Sequence, residues 1–202
     1  MTVTGAPVDV GILRDEITKT YTEVSTAPGR DFIFPTGRAW AEELGYPQPE
    51  LARVPEATVQ SFAGVANLWS LGRIEPGSVV VDLGCGAGTD LLIAAQMTGP
   101  DGRAIGIDMT DSMLDRARAG AQAMGMTNVE LDYGLIEDLP LADESVDVVI
   151  SNGVIDLVPD KDAVFAEIDR VLRPGGRLQL ADVIIHTEVS EDARKRIDLW
   201  TG

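Results

Sequence analysis

Cysteine, histidine and basic residues are scarce in this 202-residue sequence. The single cysteine, Cys85, excludes an internal disulfide, and with the single histidine, His186, it excludes multi-cysteine and multi-histidine metal sites, so we predict no metal site. The chain has 16 Lys and Arg residues and 33 Asp and Glu residues, which gives a net charge of −17. Because nucleic acids and anionic membranes are bound through basic surfaces, we predict that neither is a partner.

Long hydrophobic runs are also missing. The N-terminus has no basic flank followed by an apolar run, which a signal peptide would need. Predominantly apolar stretches, such as 146–150, are far too short to span a bilayer. We therefore expect a cytoplasmic chain, and its length is sufficient for a hydrophobic core that folds without disulfides.

Residues 1–77 contain no strand pattern. Apolar residues recur every three or four positions over about 9–24, which predicts a helix with one apolar face, and short helices are predicted over 37–45, 49–53 and 55–63. We interpret residues 1–77 as an N-terminal helical cap. Its aromatic residues are candidates for a lid over a bound apolar molecule, although packing is the more common role of such residues: Tyr21, Phe32, Phe34, Trp40, Phe62 and Trp69.

Strand and helix patterns alternate over residues 78–202. Strands are predicted over 79–83, 104–108, 129–132, 146–151 and 177–185, with helices over 89–97, 111–124 and 160–172, the last one stopped by residues 173–176. The alternation predicts an α/β fold, a doubly wound, Rossmann-like and mostly parallel sheet of about five strands with helices on both faces.

Only residues 186–202 follow the fifth predicted strand, with room for one helix at about 190–200. We therefore expect the C-terminal strands of the usual fold to be absent. An uncovered strand edge invites pairing, so we expect either that the chain is cut short or that a homodimer covers the edge of the fifth strand.

A glycine-rich loop, Asp82-Leu83-Gly84-Cys85-Gly86-Ala87-Gly88, joins the first strand to its helix. Its glycines allow a sharp turn and let a ligand lie against bare backbone, where doubly wound folds bind nucleosides. Thr89 stands where a dinucleotide-binding motif has Gly or Ala, and no phosphate-binding G-K-[ST] follows. Asp108 ends the second strand, where a carboxylate can accept hydrogen bonds from both ribose hydroxyls.

Five segments in order resemble class I S-adenosylmethionine-dependent methyltransferases: VVVDLGCGAG, AIGIDM, GLIEDLPL, VDVVISNGVIDLV and VLRPGGRLQLAD. Within that class the chain is most similar to arsenite methyltransferases, for example in IGIDMTDSML, TNVELDYGLIEDLP and AEELGYPQPELARVP. The resemblance implies a methyltransferase that uses S-adenosyl-L-methionine as its cofactor.

The resemblance also implies cofactor contacts in the glycine loop. Gly84, Gly86 and Gly88 would contact the methionine and sulfonium part, with Cys85 as a small residue of the same loop. Asp82 would hold the loop and the amino group of the cofactor.

Further implied contacts lie after the second, third and fourth strands. Asp108 would bind the ribose and Met109 would pack on the adenine face. Ile136 and Glu137 would contact the adenine edge. Ser151 and Asn152 would line the side of the methyl donor.

The chain lacks cysteines at positions where arsenite methyltransferases have them. That family holds arsenic through cysteine thiolates, and the two matching positions here are Val65 and Gly153. We therefore expect a small-molecule methyl acceptor other than arsenite. We assign no catalytic residue, since His186 is explained as a partly exposed residue at a strand end.

Two other functions stay open at this stage. One is a non-catalytic or incomplete subunit that binds the cofactor or its demethylated product without turnover. The other is a nucleotide-dependent oxidoreductase of the same topology, against which Thr89 and the glycine spacing count.

Overall fold

A five-stranded parallel sheet forms the centre of the molecule in a computed structural model that describes residues 8–184 and 186. Its strands, in the order β3-β2-β1-β4-β5, are β1 (Val79–Leu83), β2 (Arg103–Asp108), β3 (Val129–Tyr133), β4 (Val146–Asn152) and β5 (Leu172–Ala181). The predicted Rossmann-like α/β fold is confirmed. The strand order reverses between β1 and β4, and the carboxyl ends of strands beside such a reversal form a binding crevice in doubly wound folds.

Helices cover both faces of the sheet. The helices are α1 (Val10–Thr26), α2 (Gly37–Glu43), α3 (Gln48–Leu51), α4 (Glu56–Val59), α5 (Thr89–Thr98), α6 (Asp111–Ala123) and α7 (Lys161–Val171). On one face, α5 lies between the sheet and the N-terminal helices, which explains why nearly all of its residues are buried. On the other face, α7 packs Val164 and Ile168 against Val81 and Val149.

The described part of the cap contains helices, as predicted, and no strand. Leu13, Ile17 and Val24 form the buried face of α1. A short 3₁₀ helix at Leu68–Leu71, which the sequence analysis did not predict, leads into β1. Cap and core share one hydrophobic cluster, so the division at residues 77 and 78 stays a prediction.

The boundaries of β5 differ from the prediction. The strand begins at Leu172, directly after α7, and residues 173–176 lie inside it rather than between helix and strand. The pairing with β4 shifts there from Val146–Leu172 to Val148–Arg177, because Pro174 has no N–H to donate and Gly175 adopts a φ of +85°. The strand ends at Ala181, short of the predicted end at 185.

The remaining sequence predictions on the C-terminal side are not tested. The helix predicted at about 190–200 lies outside the described residues. Within the described residues β5 pairs with β4 alone, so the homodimer stays a prediction. None of the described helices combines the length and the apolar character needed to cross a bilayer.

Candidate functional site

The carboxyl ends of the strands and the cap enclose a pocket with an empty volume of about 1070 Å³, its open mouth included. One part of its wall is the loop after β1, residues 84–87, called the loop wall below. Another part is formed by α1 and by residues 61–64, which belong to the cap segment, defined here as residues 61–66. The pocket lies where doubly wound sheets bind their ligands.

The loop wall is fixed by hydrogen bonds to the end of β2. The backbone N–H groups of Gly84 and Cys85 both donate to the Ile107 carbonyl, at 2.8 and 3.0 Å. The Gly86 N–H donates to Asp108 Oδ2 at 2.8 Å. Gly84 has a φ of +66°, and a Cβ there would lie 2.6 Å from the methyl groups of Val154. Only glycine fits this position.

Asp108 therefore holds the loop, a role that the sequence analysis gave to Asp82. The second oxygen of Asp108, Oδ1, accepts a hydrogen bond from the Thr110 N–H at 2.8 Å. Burial raises the pKa of Asp108, while its bonds from the Gly86 and Thr110 amides oppose that shift. This difference has a geometric cause, because the end of β2 lies directly beside the loop.

Asp82 is buried, with 3% of its surface exposed, and its Oδ2 has no hydrogen-bond partner in the described structure. Thr89 Oγ1, at the start of α5, is also buried without a partner. Both residues line the pocket. Burial raises the pKa of Asp82, and the nearby charges of Asp90 and Asp108 raise it further. Unpartnered buried polar atoms are costly, so these two indicate a place for ligand groups.

The predicted adenine-side residues Met109, Ile136 and Glu137 all line the pocket. The Glu137 carboxylate also forms an ion pair with Arg14 of α1, with 3.0 Å between Nη2 and Oε1. This pair joins the cap to the core beside the pocket. Sequence analysis missed it because 123 positions separate the two residues.

Two predicted cofactor contacts, Ser151 and Gly88, have no place in the pocket lining. Ser151 is fully buried and donates to the Leu83 carbonyl at 3.4 Å. Gly88 caps α5 with a φ of +92°, and a Cβ there would lie 2.9 Å from that of Ala117, so it allows α5 and α6 to approach closely. His186 is exposed, as expected, and also lies outside the lining.

Asn152 lines the pocket, but its side chain is bonded to the cap. Its Oδ1 accepts from the N–H groups of Val65 and Ala66, at 2.8 and 3.3 Å. Its Nδ2 lies 2.9 Å from the Tyr46 hydroxyl and 3.1 Å from Asp90 Oδ2. Nδ2 also lies 3.0 Å from the Ala66 carbonyl, so its two hydrogens already have three acceptors.

Asp90 lies at the centre of the same buried cluster, called the Asp90 cluster below: Asp90, Asn152, Tyr46 and Trp69. Its Oδ2 accepts from the Tyr46 hydroxyl at 3.0 Å and its Oδ1 from Trp69 Nε1 at 3.1 Å. Burial raises the pKa of Asp90 to about 6, and the three donors oppose that shift. Nothing in the sequence pattern pointed to this cluster, because Asp90 resembles an ordinary acidic residue in the first turn of a helix.

Two of the six cap aromatics line the pocket, and the other four pack or form hydrogen bonds outside its lining. Tyr21 and Phe62 line the pocket, although packing was the more expected role for both. Phe34 stacks on Tyr21 with ring centroids 6.1 Å apart, and Phe32 stacks on Phe34 at 5.8 Å. Trp69 belongs to the Asp90 cluster, and Trp40 Nε1 donates to the Gly64 carbonyl at 2.7 Å.

A pair of carboxylates, Asp156 and Asp182, lies close enough to Tyr21 to affect its titration. Asp182 Oδ2 accepts from the N–H groups of Ile155 and Asp156, at 3.0 and 3.3 Å. Burial, together with the hydrogen bond and the charge of Asp182, raises the pKa of Asp156 to about 7. The pKa of the Tyr21 hydroxyl is raised by burial and by both carboxylates.

Cys85, the only thiol of the chain, is buried in the loop wall. Burial raises its pKa, and the charges of Asp108 and Asp82 add to the effect, so the thiol stays protonated near neutral pH. Within residues 8–184 and 186, no group of three or more His, Cys, Asp or Glu is arranged to hold a metal ion.

Comparison with known proteins agrees with this geometry. Residues 74–201 match the family model described as a methyltransferase domain. The chain belongs to this methyltransferase domain family. A relative of the domain is the arsenite methyltransferase of Halobacterium salinarum, which is 42% identical over 167 residues, or 83% of this chain and 42% of that protein.

Two further proteins broaden the comparison for this methyltransferase domain. An arsenic(III) S-adenosylmethionine methyltransferase from Chlamydomonas reinhardtii is 35% identical, with a TM-score of 0.64 over 72% of this chain and 51% of that structure. The demethylmenaquinone methyltransferase of Listeria welshimeri is 36% identical over 110 residues, or 54% of this chain and 47% of that protein. The chain thus spans about half the length, or less, of these proteins. The predicted likeness to S-adenosylmethionine-dependent methyltransferases, arsenite methyltransferases among them, is confirmed.

Proposed function

We propose that this chain is an S-adenosylmethionine-dependent methyltransferase that acts on a small organic molecule with an apolar body. The observation that supports this most is the pocket itself. It combines the glycine loop, buried carboxylates and an apolar wall in a chain of the methyltransferase domain family. When bound, the cofactor supplies an electrophilic methyl group on a sulfonium sulfur, and the protein has to bind it, align an acceptor and exclude water.

The charges of the pocket fit the cofactor. S-adenosylmethionine carries two positive groups, the sulfonium and the α-ammonium, and the pocket is lined by the buried carboxyl groups of Asp82 and Asp90 and by the half-buried Asp108. Asp82 Oδ2 lacks a partner and would accept a hydrogen bond from the ammonium group. A bound cation would also lower the pKa of Asp82, because it favours the ionised form.

The adenosine part fits the end of β2. Asp108 uses one hydrogen bond on each carboxylate oxygen for the backbone, and a carboxylate has about four acceptor positions. The carboxylate therefore has acceptor capacity beyond these two bonds, which a ribose hydroxyl could use. Met109 and Ile136 provide apolar surface for the adenine ring beside them.

The far side of the pocket supports an apolar acceptor. Beyond β4 it is lined by Val154, Leu157, Val158 and Pro159, and the cap adds Phe62. Apolar lining of this kind favours an organic molecule whose body is desolvated on binding. The demethylmenaquinone methyltransferase of Listeria welshimeri, by its name, acts on such a molecule.

The same region supports our expectation that the acceptor is not arsenite. Val65 and Gly153 are neighbours in space, since a Cβ on Gly153 would lie 2.9 Å from Val65 Cγ1. Neither offers a thiolate, and Cys85 is a buried thiol with a raised pKa. Arsenic(III) binding requires soft ligands, which these side chains do not supply. We assign no catalytic residue, and cytoplasmic localisation and the absence of a nucleic-acid partner stay predictions.

The test is a calorimetric titration of the chain with S-adenosylhomocysteine, run beside NAD. We expect S-adenosylhomocysteine to bind and NAD not to bind. Asp108→Ala should weaken binding about 100-fold or more, because the ribose contact and the anchor of Gly86 are both lost. Asp108→Asn, which keeps one acceptor oxygen, should fold and bind with intermediate affinity.

Asp132→Ala is the matched control, since this exposed aspartate lies on the neighbouring strand β3. It should bind like the wild type. Binding of NAD instead would favour the oxidoreductase alternative. If S-adenosylhomocysteine binds but no acceptor panel yields a methylated product, the non-catalytic subunit gains support.

A further inference from the structure

We propose that Asn152 and Asp90 are positioning residues, which hold the cap segment in place as the acceptor-side wall of the pocket. This inference rests on the proposed function, because it assigns the acceptor to the side of the pocket beyond β4. It also changes the predicted role of Asn152 from a cofactor contact to a contact that orders the cap.

Asn152 forms hydrogen bonds with the backbone of the cap segment. Its Oδ1 accepts from both the Val65 and Ala66 N–H groups, and its Nδ2 lies 3.0 Å from the Ala66 carbonyl. One side chain thus satisfies three peptide groups of a segment that has no regular secondary structure. Peptide groups without a partner are costly when buried, so the bonds with Asn152 stabilise this path of the chain.

The cap segment packs closely against the Asn152 side chain. A Cβ on Gly64 would lie 2.4 Å from Asn152 Nδ2, so only glycine lets the backbone approach this far. The Gly64 carbonyl accepts from Trp40 Nε1 on the cap side. The segment is therefore held by Trp40 of the cap and by Asn152 of the sheet.

Asn152 is itself held in place by Asp90. Asp90 Oδ2 accepts from Asn152 Nδ2, and Asp90 also accepts from Tyr46 and Trp69. Asp90 is 6% exposed and Asn152 ends β4, so neither can turn toward solvent without breaking the cluster. Asp90 thereby fixes the amide in the one orientation in which Oδ1 faces the cap segment.

The cap segment connects the Asp90 cluster with the pocket. Phe62, Ala63 and Gly64 line the pocket, directly before the two residues that Asn152 holds. The hydrogen-bonding capacity of Asn152 is fully used by protein groups, so it has no donor left for the cofactor. Its effect on a bound acceptor is exerted through the position of the cap segment.

The experiment measures amide hydrogen exchange at Val65 and Ala66 by NMR, together with S-adenosylhomocysteine affinity. In Asn152→Ala we expect protection at these two amides to fall about 30-fold or more, since their acceptor is gone. The affinity for S-adenosylhomocysteine should stay within about threefold of the wild type. Asn128→Ala is the matched control, because Asn128 also bonds several backbone groups, at Ala95 and Gly99, but not those of the cap segment.

Asn152→Asp provides a readout that a purely structural defect would not show. Its carboxylate still accepts from the cap amides, but it can donate to Asp90 only when the two carboxyl groups share a proton. The titratable groups facing this pair are Asp82 and Tyr46. We expect near wild-type protection at pH 5.5 and loss of protection at pH 8, while the wild type keeps its protection at both.

Several outcomes would overturn the inference. A tenfold or greater loss of S-adenosylhomocysteine affinity in Asn152→Ala, with protection kept, would make Asn152 a cofactor ligand. Protection in Asn152→Asp that does not change with pH would remove Asp90 from the role. If Asn152→Ala does not fold, the protection of the Val65 and Ala66 amides is measured instead in Asn152→Asp at pH 5.5 and in Tyr46→Phe. Failure of the wild type to bind S-adenosylhomocysteine would overturn the proposed function instead, and the exchange data would still decide this inference.

Discussion

The loop wall and the cap segment line the same pocket but are built differently. The loop wall is held mainly by backbone hydrogen bonds to the end of β2, and Gly84 allows its close packing on Val154. The cap segment is held by side chains, chiefly Asn152 and Trp40. The first wall depends on residues close to it in the Rossmann-like unit, whereas the second depends on contacts made across the chain. We therefore expect the loop wall to tolerate no change of shape and the cap segment to respond to the loss of single hydrogen bonds.

The largest effect is expected from Gly84→Ala in the loop wall. A left-handed φ of +66° and a contact of 2.6 Å with Val154 should together lower the free energy of unfolding by about 3 kcal/mol. Binding of S-adenosylhomocysteine should be lost. Gly125→Ala is the matched control, since Gly125 has a φ of +63° and a Cβ there would meet no atom within 4 Å. Equal losses in both variants, measured by urea unfolding, would refute the steric explanation.

A smaller effect is expected from Tyr46→Phe in the Asp90 cluster. The hydroxyl donates to Asp90 and accepts from Asn152, so its removal takes two hydrogen bonds from the buried cluster, at a cost of about 1–2 kcal/mol. Tyr133→Phe, with the tyrosine 63% exposed, should change the free energy of unfolding by less than about 0.5 kcal/mol. If the two variants unfold alike, the cluster does not stabilise the cap.

Asp156→Asn tests the electrostatics at the carboxyl ends of β4 and β5. The pKa of Asp156 in the folded state, about 7, lies above its ordinary value of 3.8, so its contribution to stability is present below about pH 4 and is lost as the pH rises through 7. The groups around it are Asp182, Lys161 and Tyr21.

The asparagine mimics the neutral acid. We therefore expect the variant to be more stable than the wild type by about 1 kcal/mol at pH 8, with no difference at pH 4. Urea unfolding across this range measures it, with Asp132→Asn as the control that should keep the wild-type profile. A constant difference at all pH values would contradict the assignment.

The smallest effect is expected from Arg14→Ala. The ion pair with Glu137 is partly exposed, so its loss should cost less than about 1 kcal/mol of stability. Because the pair joins α1 to the core beside the pocket, S-adenosylhomocysteine should dissociate about threefold faster, as stopped-flow fluorescence would measure. Arg30→Ala, which breaks a more exposed pair with Glu23 within the cap, should leave the dissociation rate unchanged.

The loop wall is also the part of the site that sequence analysis predicted best. Its glycines and the aspartates at the ends of β1 and β2 follow a fixed local spacing, and Asp82, Gly84, Cys85, Gly86 and Asp108 all line the pocket. One role was predicted wrongly, because Asp108 and not Asp82 accepts the hydrogen bond from the loop amide. Spacing along the chain does not determine which carboxylate meets the loop amides.

The alternation of strand and helix patterns by itself determined the parallel sheet, because that alternation is a property of neighbouring residues. It also determined the position of the glycine loop after β1. Only the tertiary structure decided the contacts of the cap. Tyr46 meets Asp90 across 44 positions and Arg14 meets Glu137 across 123. Such contacts depend on how the cap packs on the sheet, and no local pattern of residues encodes them.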